Sequence, residues 1–402
     1  MTAEPSAALR PVDKLIAQAC AAIDARRDDL IEYRREVHRF PEVSWQEHRT
    51  TALVMTALAD TPAEVTALPG SGAIVDLGST APSRRVALRA DLDALPVEEN
   101  TGLEWSSRHS GVAHACGHDL HTAGVLGAGL ALAQLQDELV ARDLAVRLLF
   151  QPAEESMPGG AHTLIDAGAL QGVDQLYAVH SDPSLDLGQV GLKAGPITAA
   201  SDAVRVTLSG RGGHTSRPHL TGDLTFALGK VITEVPAILS RRLDPRSGTA
   251  LVWGAVRAGS AANVIPASGE CIGTLRMLDA HTWDTTAPLI EEIVHAVVRP
   301  YDVHATVSHV RGVPPVNNDN VATSLFAGAA RAVLGVDAVV PTQQSLGGED
   351  LGWYLMQVPG AMARLGTRTP GGTTYELHQG DLIVDERAVV HAAKLLAAVA
   401  LA

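Results

Sequence analysis

The chain has 402 residues, of which 46% are hydrophobic, and 31 Lys and Arg against 45 Asp and Glu residues give a formal net charge of −14. This length predicts two domains, or one domain that carries a large insertion. An acidic chain without a basic cluster is a poor binder of nucleic acids and anionic membranes, and the three scattered cysteines exclude a disulfide framework.

The first part of the chain alternates helical and strand patterns. Two helices are predicted first, VDKLIAQACAAIDARRDDLIEYRREVHRF and EHRTTALVMTALAD. Four strands follow, GAIVDLG, RRVALRADLD, LAVRLLFQ and DQLYAVHSD, with the long helix HTAGVLGAGLALAQLQDELVA between the second and the third. This order predicts an α/β sheet with mostly parallel strands. Asp91, Glu154 and His180 come where apolar strands end, and such sheets carry their functional groups at that edge.

Residues 200–311 have a different order of predicted strands and helices. Alternating strands and two helices follow one another in the order β-α-β-β-α-β, which is that of a ferredoxin-like sandwich. We therefore expect a discontinuous first domain of residues 1–199 and 312–402, with residues 200–311 inserted as a second domain. The N-terminus lacks the pattern of a signal peptide, and no apolar run reaches transmembrane length, so a cytoplasmic protein is expected.

The residues best suited to chemistry are potential metal ligands. Cys116 and His118 flank Gly117, which eases the turn that would aim both side chains at one volume. Further donors come from an adjacent pair of glutamates and two histidines, namely Glu154, Glu155, His180 and His378. Thiolate, imidazole and carboxylate suit Zn²⁺ or a similar ion, and more than four donors indicate two ions with a shared ligand.

Each of these signals is weak by itself. The chain has 16 histidines, so several are bystanders, and a lone Cys-x-His or Glu-Glu pair is more often structural than functional. The combination gains weight because most of the candidates fall at the predicted end of a strand.

The chain resembles the M20 metallopeptidase family, and within it the amidohydrolase subfamily of aminoacylases, hippurate hydrolases and auxin-conjugate hydrolases. The resemblance rests on stretches spread along the chain: HRFPEVSWQEHRT, RADLDALPVEE, HACGHDLH, LLFQPAEE, AVHSDP, GRGGHTSRPH, NVIP, GTLR, GGEDLGWYL and ELHQGD. It implies a zinc-peptidase-like catalytic domain interrupted by a ferredoxin-like lid that often dimerises. It also implies that the metal ligands are Cys116, His118, Glu155, His180 and His378, with Glu154 as general base.

The same resemblance assigns further roles. His214 corresponds to a histidine that reaches the partner subunit's active site, and Asn263 and Arg276 correspond to residues that grip the substrate carboxylate. The alternatives are a turn residue for Asn263 and a solvated strand position for Arg276. Two aspartates, Asp91 and Asp93, are expected to hold histidine N–H groups, although a turn or cap is an equal alternative for Asp93.

Some positions leave the substrate open. Glu349 and Asp350 are expected near the metals without a fixed role. Ala113 stands where the group usually has Met, and residues 351–353 read Leu-Gly-Trp instead of an aromatic, a small residue and a tyrosine. Both departures bear on the substrate pocket.

Three functions are therefore weighed. The first is a metal-dependent amidohydrolase that cleaves N-acyl amino acids. The second is a di-metal dipeptidase or carboxypeptidase, and the third is a binding module without activity, which the intact donor set and Glu154 disfavour. Two divalent ions per chain are expected, zinc or manganese, and cobalt or nickel would suit the same donors. A homodimer through the lid, or a higher oligomer, is expected.

Overall fold

A computed structural model describes residues 11–402 of the chain, which fold into helices and strands in alternation. The helices are α1 Pro11–Ala25, α2 Arg27–Arg39, α3 His48–Leu58, α4 His118–Ala133, α5 Gln136–Ala141, α6 Ala161–Asp166, α7 Leu224–Arg242, α8 Ala280–Val298, α9 Asn320–Leu334, α10 Leu351–Leu355 and α11 Ala388–Leu401. None of the described helices is long and apolar enough to cross a membrane.

The strands are β1 Glu64–Ala67, β2 Ala73–Gly78, β3 Arg84–Asp91, β4 Leu144–Gln151, β5 Gln175–Asp186, β6 Val190–Gly191, β7 Gly195–Pro196, β8 Ala200–Gly210, β9 Gly213–His214, β10 Ala250–Ala258, β11 Val264–Ile265, β12 Ser268–Met277, β13 Val303–Val313, β14 Asn317–Asn318, β15 Val339–Val340 and β16 Gly360–Arg368. Most of them belong to two separate sheets. Contacts within the described residues likewise divide them into two compact units, the first made of residues 11–195, 318–343 and 353–402 and the second of residues 196–317 and 344–352.

The sheet of the first unit has eight strands in the order β1-β2-β4-β3-β5-β16-β6-β15. The four central strands, β4, β3, β5 and β16, run parallel to one another. All eight residues of β4 are buried, and because successive residues point to opposite faces, both faces of this strand are covered. The predicted α/β fold is therefore confirmed, and four of the seven neighbouring strand pairs of this sheet are parallel, while β2 joins β4 antiparallel.

Two predicted helices are each broken in two. The first is interrupted at Arg26, between α1 and α2, and the long helix after β3 is interrupted between α4 and α5. Helix α4 also begins at His118, earlier than predicted, because Gly117 takes a left-handed conformation with φ 85° and starts the helix directly behind it. This early start places His118 and Asp119 in the first helical turn.

The second unit contains a four-stranded antiparallel sheet in the order β10-β12-β8-β13. In this ferredoxin-like order, the first and third strands of the unit lie side by side at the centre. Helices α7 and α8 pack on this sheet and on each other. Buried and exposed residues alternate along most of β8, so the helices cover one face and the other face is open in the single chain.

Three short segments, residues 196–199, 312–317 and 344–352, fall in the second unit and not in the first as predicted. For residues 344–352 the reason is hydrogen bonding: the backbone N–H of Ser345 donates to Ile197 O at 2.9 Å, and the Arg276 guanidinium donates to the carbonyl of Leu346. The roles of the two units, as catalytic domain and lid, stay predictions.

Candidate metal centre

Parallel strands bring the candidate donors of the first unit to one edge of its sheet. Asp91 ends β3, and Glu154 and Glu155 follow β4 after a short turn. His180 lies inside β5, which continues to Asp186 and does not end at the histidine as predicted. His378 joins the group because its backbone N–H donates to Ala115 O at 2.7 Å, and it takes an uncommon positive φ of 63° there.

The five predicted ligands form two triads that share one residue. Donor atoms within 4.8 Å of one another come from Cys116, His118 and His180 in one triad, and from Cys116, Glu155 and His378 in the other. Cys116 Sγ lies 3.6 Å from His180 Nε2, and Glu155 Oε1 lies 3.3 Å from His378 Nε2 and 3.8 Å from His118 Nε2. Cys116 is the residue that the two triads share, so it would contribute to both groups of ligands if each held an ion.

The chemistry of these atoms fits bound cations. The buried atoms His118 Nε2 and Glu155 Oε1 have no hydrogen-bond partner within residues 11–402, which is costly for polar atoms in a protein interior. Burial raises the pKa of the Cys116 thiol to about 12, so the thiolate forms at neutral pH only when a cation holds it. Divalent metal ions would satisfy all three groups at once.

His121 lies next to the proposed ligands but differs from them in its hydrogen-bond partners. Its Nδ1 lies 2.6 Å from Asp91 Oδ1, and its Nε2 accepts the backbone N–H of Ser181 at 2.8 Å. Both nitrogens of His121 therefore have polar partners, whereas neither ring nitrogen of His118 has a hydrogen-bond partner within residues 11–402. His180 also differs from His121, because its Nδ1 lies 2.8 Å from Ser181 O, and donation to that carbonyl leaves Nε2 with a lone pair for a metal.

Asp93 holds the backbone of the glutamate pair. Its Oδ1 accepts the N–H of Glu154 at 3.0 Å and its Oδ2 accepts the N–H of Glu155 at 2.9 Å, while Ser44 Oγ donates to Oδ2 at 2.7 Å. The carboxylate also lies 3.3 Å from His118 Nδ1. This distance places the two groups close together, but His118 Nδ1 has no hydrogen-bond partner within residues 11–402, so the expected hold on a histidine N–H stays a prediction. The sequence did not reveal the contact with the two glutamates.

A second buried carboxylate holds the residue before the pair. Glu47 Oε1 accepts the N–H of Ala153 at 2.8 Å, and Ala153 has a positive φ of 53°, which is unfavourable for a residue with a Cβ. Three successive N–H groups, from residues 153 to 155, are therefore bound by two carboxylates. Glu47 was missed by the sequence reasoning, although it lies in the stretch HRFPEVSWQEHRT that carries the family resemblance.

A further buried network supports the start of α4. Asp119 Oδ2 accepts Arg34 Nε at 2.7 Å and lies 2.9 Å from His38 Nδ1, and His38 Nε2 lies 3.2 Å from Glu99 Oε1. Burial opposes ionisation of Asp119, but the Arg34 charge and the His38 hydrogen bond outweigh it and hold the pKa of Asp119 far below its ordinary range. These residues come from three separate segments, so no local pattern could have grouped them.

The remaining predicted site residues lie in the second unit. His214 and Asn263 are neighbours, because Thr215 N donates to Asn263 O at 3.2 Å and β9 pairs with β11. His214 is exposed, and its Nδ1 lies 2.8 Å from Ser216 Oγ. Arg276 is held by the carbonyl of Leu346. Glu349 and Asp350 are buried in the same unit, and their expected role near the metals stays a prediction.

Comparisons with known proteins agree on a family. The sequence model of peptidase family M20/M25/M40 matches residues 87–402. The chain is 36% identical over 370 residues to the N-acetyl-L-cysteine deacetylase of Bacillus subtilis, covering 91% of this chain and 86% of that protein. It is 31% identical to the crystal structure of the YxeP protein of Bacillus subtilis, described as a dinuclear metal-binding peptidase of the M20 family, with a TM-score of 0.81 over 94% of this chain and 98% of that one.

A further relative is longer than this chain. The chain is 46% identical over 370 residues to a putative glutamate–cysteine ligase 2-3 of Rhodococcus jostii. The match covers 92% of this chain but only 46% of that protein, so the chain spans less than half of this relative's length.

Proposed function

The chain belongs to peptidase family M20/M25/M40, and from this premise we propose that it hydrolyses N-acyl amino acids to a carboxylic acid and a free amino acid. The kinship to deacetylases and peptidases of this family makes it a metal-dependent amidohydrolase. The observation that carries the finer proposal is the placement of Glu154 beside His118 and Glu155, next to a donor set whose two triads share Cys116. An acylated amino acid is the substrate class that the named deacetylase relative suggests.

The chain's own residues divide the chemical work. Two divalent ions, when bound, polarise the amide carbonyl and make water more acidic. Glu154 accepts a proton from the attacking water and delivers it to the leaving nitrogen, as a general base and then a general acid. The Asp93 carboxylate binds the backbone N–H groups of both glutamates. It thereby fixes the backbone from which the two side chains project, which supports different roles for Glu154 and Glu155.

The second unit is proposed to bind the rest of the substrate. Asn263 and Arg276 are assigned to the α-carboxylate of the amino acid, and Arg276 would exchange its contact with a backbone carbonyl for a charged one. His214 is assigned to the oxyanion that develops on the amide oxygen. These three assignments rest on the family resemblance and on the neighbouring positions of His214 and Asn263.

Zinc or manganese is proposed as the native ion, and cobalt or nickel would fit the same donors. The shared position of Cys116 can be tested by metal content after gentle purification. The wild-type protein should hold about two ions per chain, Cys116→Ala should lose both, and His378→Ala should lose one. Equal loss in the two variants would contradict the bridging position of Cys116.

The substrate class is tested with metal-reconstituted protein. A panel of N-acetyl amino acids should be hydrolysed with a higher kcat/KM than dipeptides of the same residues, measured by release of the free amine. Preference for the dipeptides would favour the second candidate, a di-metal dipeptidase or carboxypeptidase, which the description of the YxeP structure as a peptidase supports.

A cytoplasmic homodimer completes the proposal. The described cysteines are all free, which suits a reducing compartment. The edge strand β10 exposes Val252 and Val256, and pairing with a second copy would cover this edge. Each His214 would then serve the partner's site. Mixed dimers of Glu154→Gln and His214→Ala should regain part of the activity, and no recovery after verified subunit exchange would exclude action in trans.

A further inference from the structure

One buried arginine lacks the partner that the others have. The described part of the chain buries four arginines: Arg34, Arg89, Arg147 and Arg364. The first three are paired with carboxylates, Arg34 with Asp119 at 2.7 Å, Arg89 with Asp91 at 2.6 Å, and Arg147 with Asp76 through two hydrogen bonds of 2.9 and 2.8 Å. No carboxylate within residues 11–402 lies within 4.0 Å of Arg364, although its exposure of 8% equals that of Arg147.

Arg364 lies directly beside a proposed metal ligand. It stands opposite His180 in the parallel pair of β16 and β5, and its Nη1 is 3.3 Å from His180 Nδ1. That nitrogen already lies 2.8 Å from Ser181 O and must carry a proton if Nε2 is to bind a metal. With this tautomer, His180 offers no lone pair to Arg364. The guanidinium, with its five donors, then has no hydrogen-bond acceptor within residues 11–402.

The electrostatics make this arrangement unfavourable without an added anion. A buried cation is costly unless it is paired, and cations bound at the neighbouring triad would repel it further. Asp91 does not compensate for this charge, because Arg89 and His121 already bind its two oxygens. The missing negative charge must therefore come from outside the described chain, and the group that arrives beside the metals during turnover is the substrate.

We propose that Arg364 binds a second carboxylate of the substrate, so that the preferred substrates are dicarboxylic N-acyl amino acids. This inference rests on the proposed function, in which Arg276 takes the α-carboxylate and leaves Arg364 available. The second carboxylate belongs either to the amino-acid side chain or to the acyl chain, and both present the planar anion that the guanidinium fork matches.

Two matched substrate pairs distinguish these sources. N-acetyl-L-glutamate against N-acetyl-L-glutamine tests the side chain, and an N-succinyl against an N-butyryl amino acid tests the acyl chain. In one of the two pairs, the wild-type kcat/KM should favour the acidic member by about 10-fold or more, as expected for a charge-assisted hydrogen bond. Arg364→Met should abolish that preference and Arg364→Lys should keep part of it. Equal rates within both pairs, or a preference that survives Arg364→Met, would overturn the proposal.

Arg147→Met is the matched control, since Arg147 is equally buried but paired. It should leave the substrate ratios unchanged and lower the melting temperature, because it strands Asp76. Arg364→Met should not lower the melting temperature, since no partner is lost. A drop as large as that of Arg147→Met would show that Arg364 is structural.

Binding separates this inference from the proposed function. Titration calorimetry with glutarate and with pentanoate on metal-loaded protein requires no turnover. Glutarate should bind about 10-fold more tightly than pentanoate to the wild type, and equally to Arg364→Met. Absence of amide hydrolysis with this binding difference intact would defeat the proposed function alone, whereas equal binding of the two acids to the wild type would defeat the role of Arg364.

Discussion

The two units each bury a carboxylate among polar groups, but they do so differently. In the second unit, Asp202 accepts Trp283 Nε1 with both oxygens at 2.9 Å, lies 2.6 Å from His309 Nε2, and accepts the N–H of Gly312 at 2.9 Å. In the first unit, Glu155 Oε1 and His118 Nε2 are buried and have no hydrogen-bond partner within residues 11–402. A buried carboxylate whose hydrogen bonds are satisfied stabilises a fold, whereas buried polar atoms without hydrogen-bond partners indicate a binding site.

The sheets of the two units also differ in how many of their faces are covered. The central strands of the first unit are covered on both faces, as the fully buried β4 shows. The second unit covers one face of its sheet, and His214 lies exposed on the short strand β9. The first unit therefore carries the clustered donor atoms in its interior, whereas the second presents His214 at its surface.

The largest effect is expected for Glu154, the proposed general base beside His118 and Glu155. Glu154→Gln keeps the shape of the side chain but cannot accept a proton, so kcat should fall by roughly 10³-fold or more, about 4 kcal/mol in the barrier. Metal content should stay at the wild-type value. Single-turnover rates and metal analysis of the same sample check both points. A variant that loses its metals and recovers with excess ion would reverse the roles of Glu154 and Glu155.

Substitution of Asp202 in the second unit should lower the stability of the protein and not its activity. Asp202→Asn places an NH₂ group where the carboxylate now accepts hydrogen bonds from Trp283, His309 and Gly312. The free energy of unfolding should fall by about 3 kcal/mol, measured by urea denaturation of the metal-loaded protein. The metal content of the first unit should not change. Loss of metal without loss of stability would contradict a purely structural role for Asp202.

Asp93 is an intermediate case, because its oxygens have hydrogen-bond partners but two of these are the backbone N–H groups of Glu154 and Glu155, the proposed general base and metal ligand. Asp93→Asn retains one acceptor oxygen and turns an NH₂ group towards the N–H of Glu154 or Glu155. The resulting shift of the pair should lower kcat by roughly 10²-fold, with a smaller change in KM. Asp93→Ala, which removes the clamp entirely, should be at least as slow. An unchanged kcat in both variants would make Asp93 merely structural.

The sequence predicted best what is local. The apolar stretch LAVRLLFQ coincides with β4 at both ends, since a fully buried strand is a continuous run of apolar residues between breakers. The β-α-β-β-α-β order of the second unit is likewise a property of consecutive segments. The donor set was suggested by strand ends, and its assignment to named residues came from family resemblance.

What the sequence did not reveal depends on distant contacts. Asp93 lies 61 positions before Glu154, and its bonds go to backbone N–H groups, which leave no trace in residue type. Arg364 has the form of an ordinary polar residue in a strand, and only the absence of a carboxylate around it in the described structure makes it unusual. The attachment of residues 344–352 to the second unit also rests on backbone bonds to residues far away in the chain.

The smallest effect concerns pH and compares two partly buried carboxylates, Glu99 with a side-chain exposure of 5% and Glu270 with 23%. Burial opposes ionisation of Glu99, but hydrogen bonds from His38 and Thr101 outweigh it and lower its pKa from 4.5 to about 2. Glu270, on the second unit, has its pKa lowered by Arg257 and Arg205 while staying in contact with water. Because both values are lower in the folded state, the stabilisation is present above pH 4.5 and is lost as the pH falls through the folded pKa.

Burial decides which of the two is measurable. Water and salt screen the exposed pairs of Glu270, so Glu270→Gln should leave the urea-unfolding curves unchanged at every pH. Glu99→Gln should lower the free energy of unfolding at pH 6 by about 2 kcal/mol and have little effect near pH 2, where the wild-type carboxyl is itself becoming protonated. The difference between wild type and variant should therefore shrink as the pH falls from 4.5 to 2. A difference that stays constant over this interval would show that Glu99 acts through packing and not through its charge.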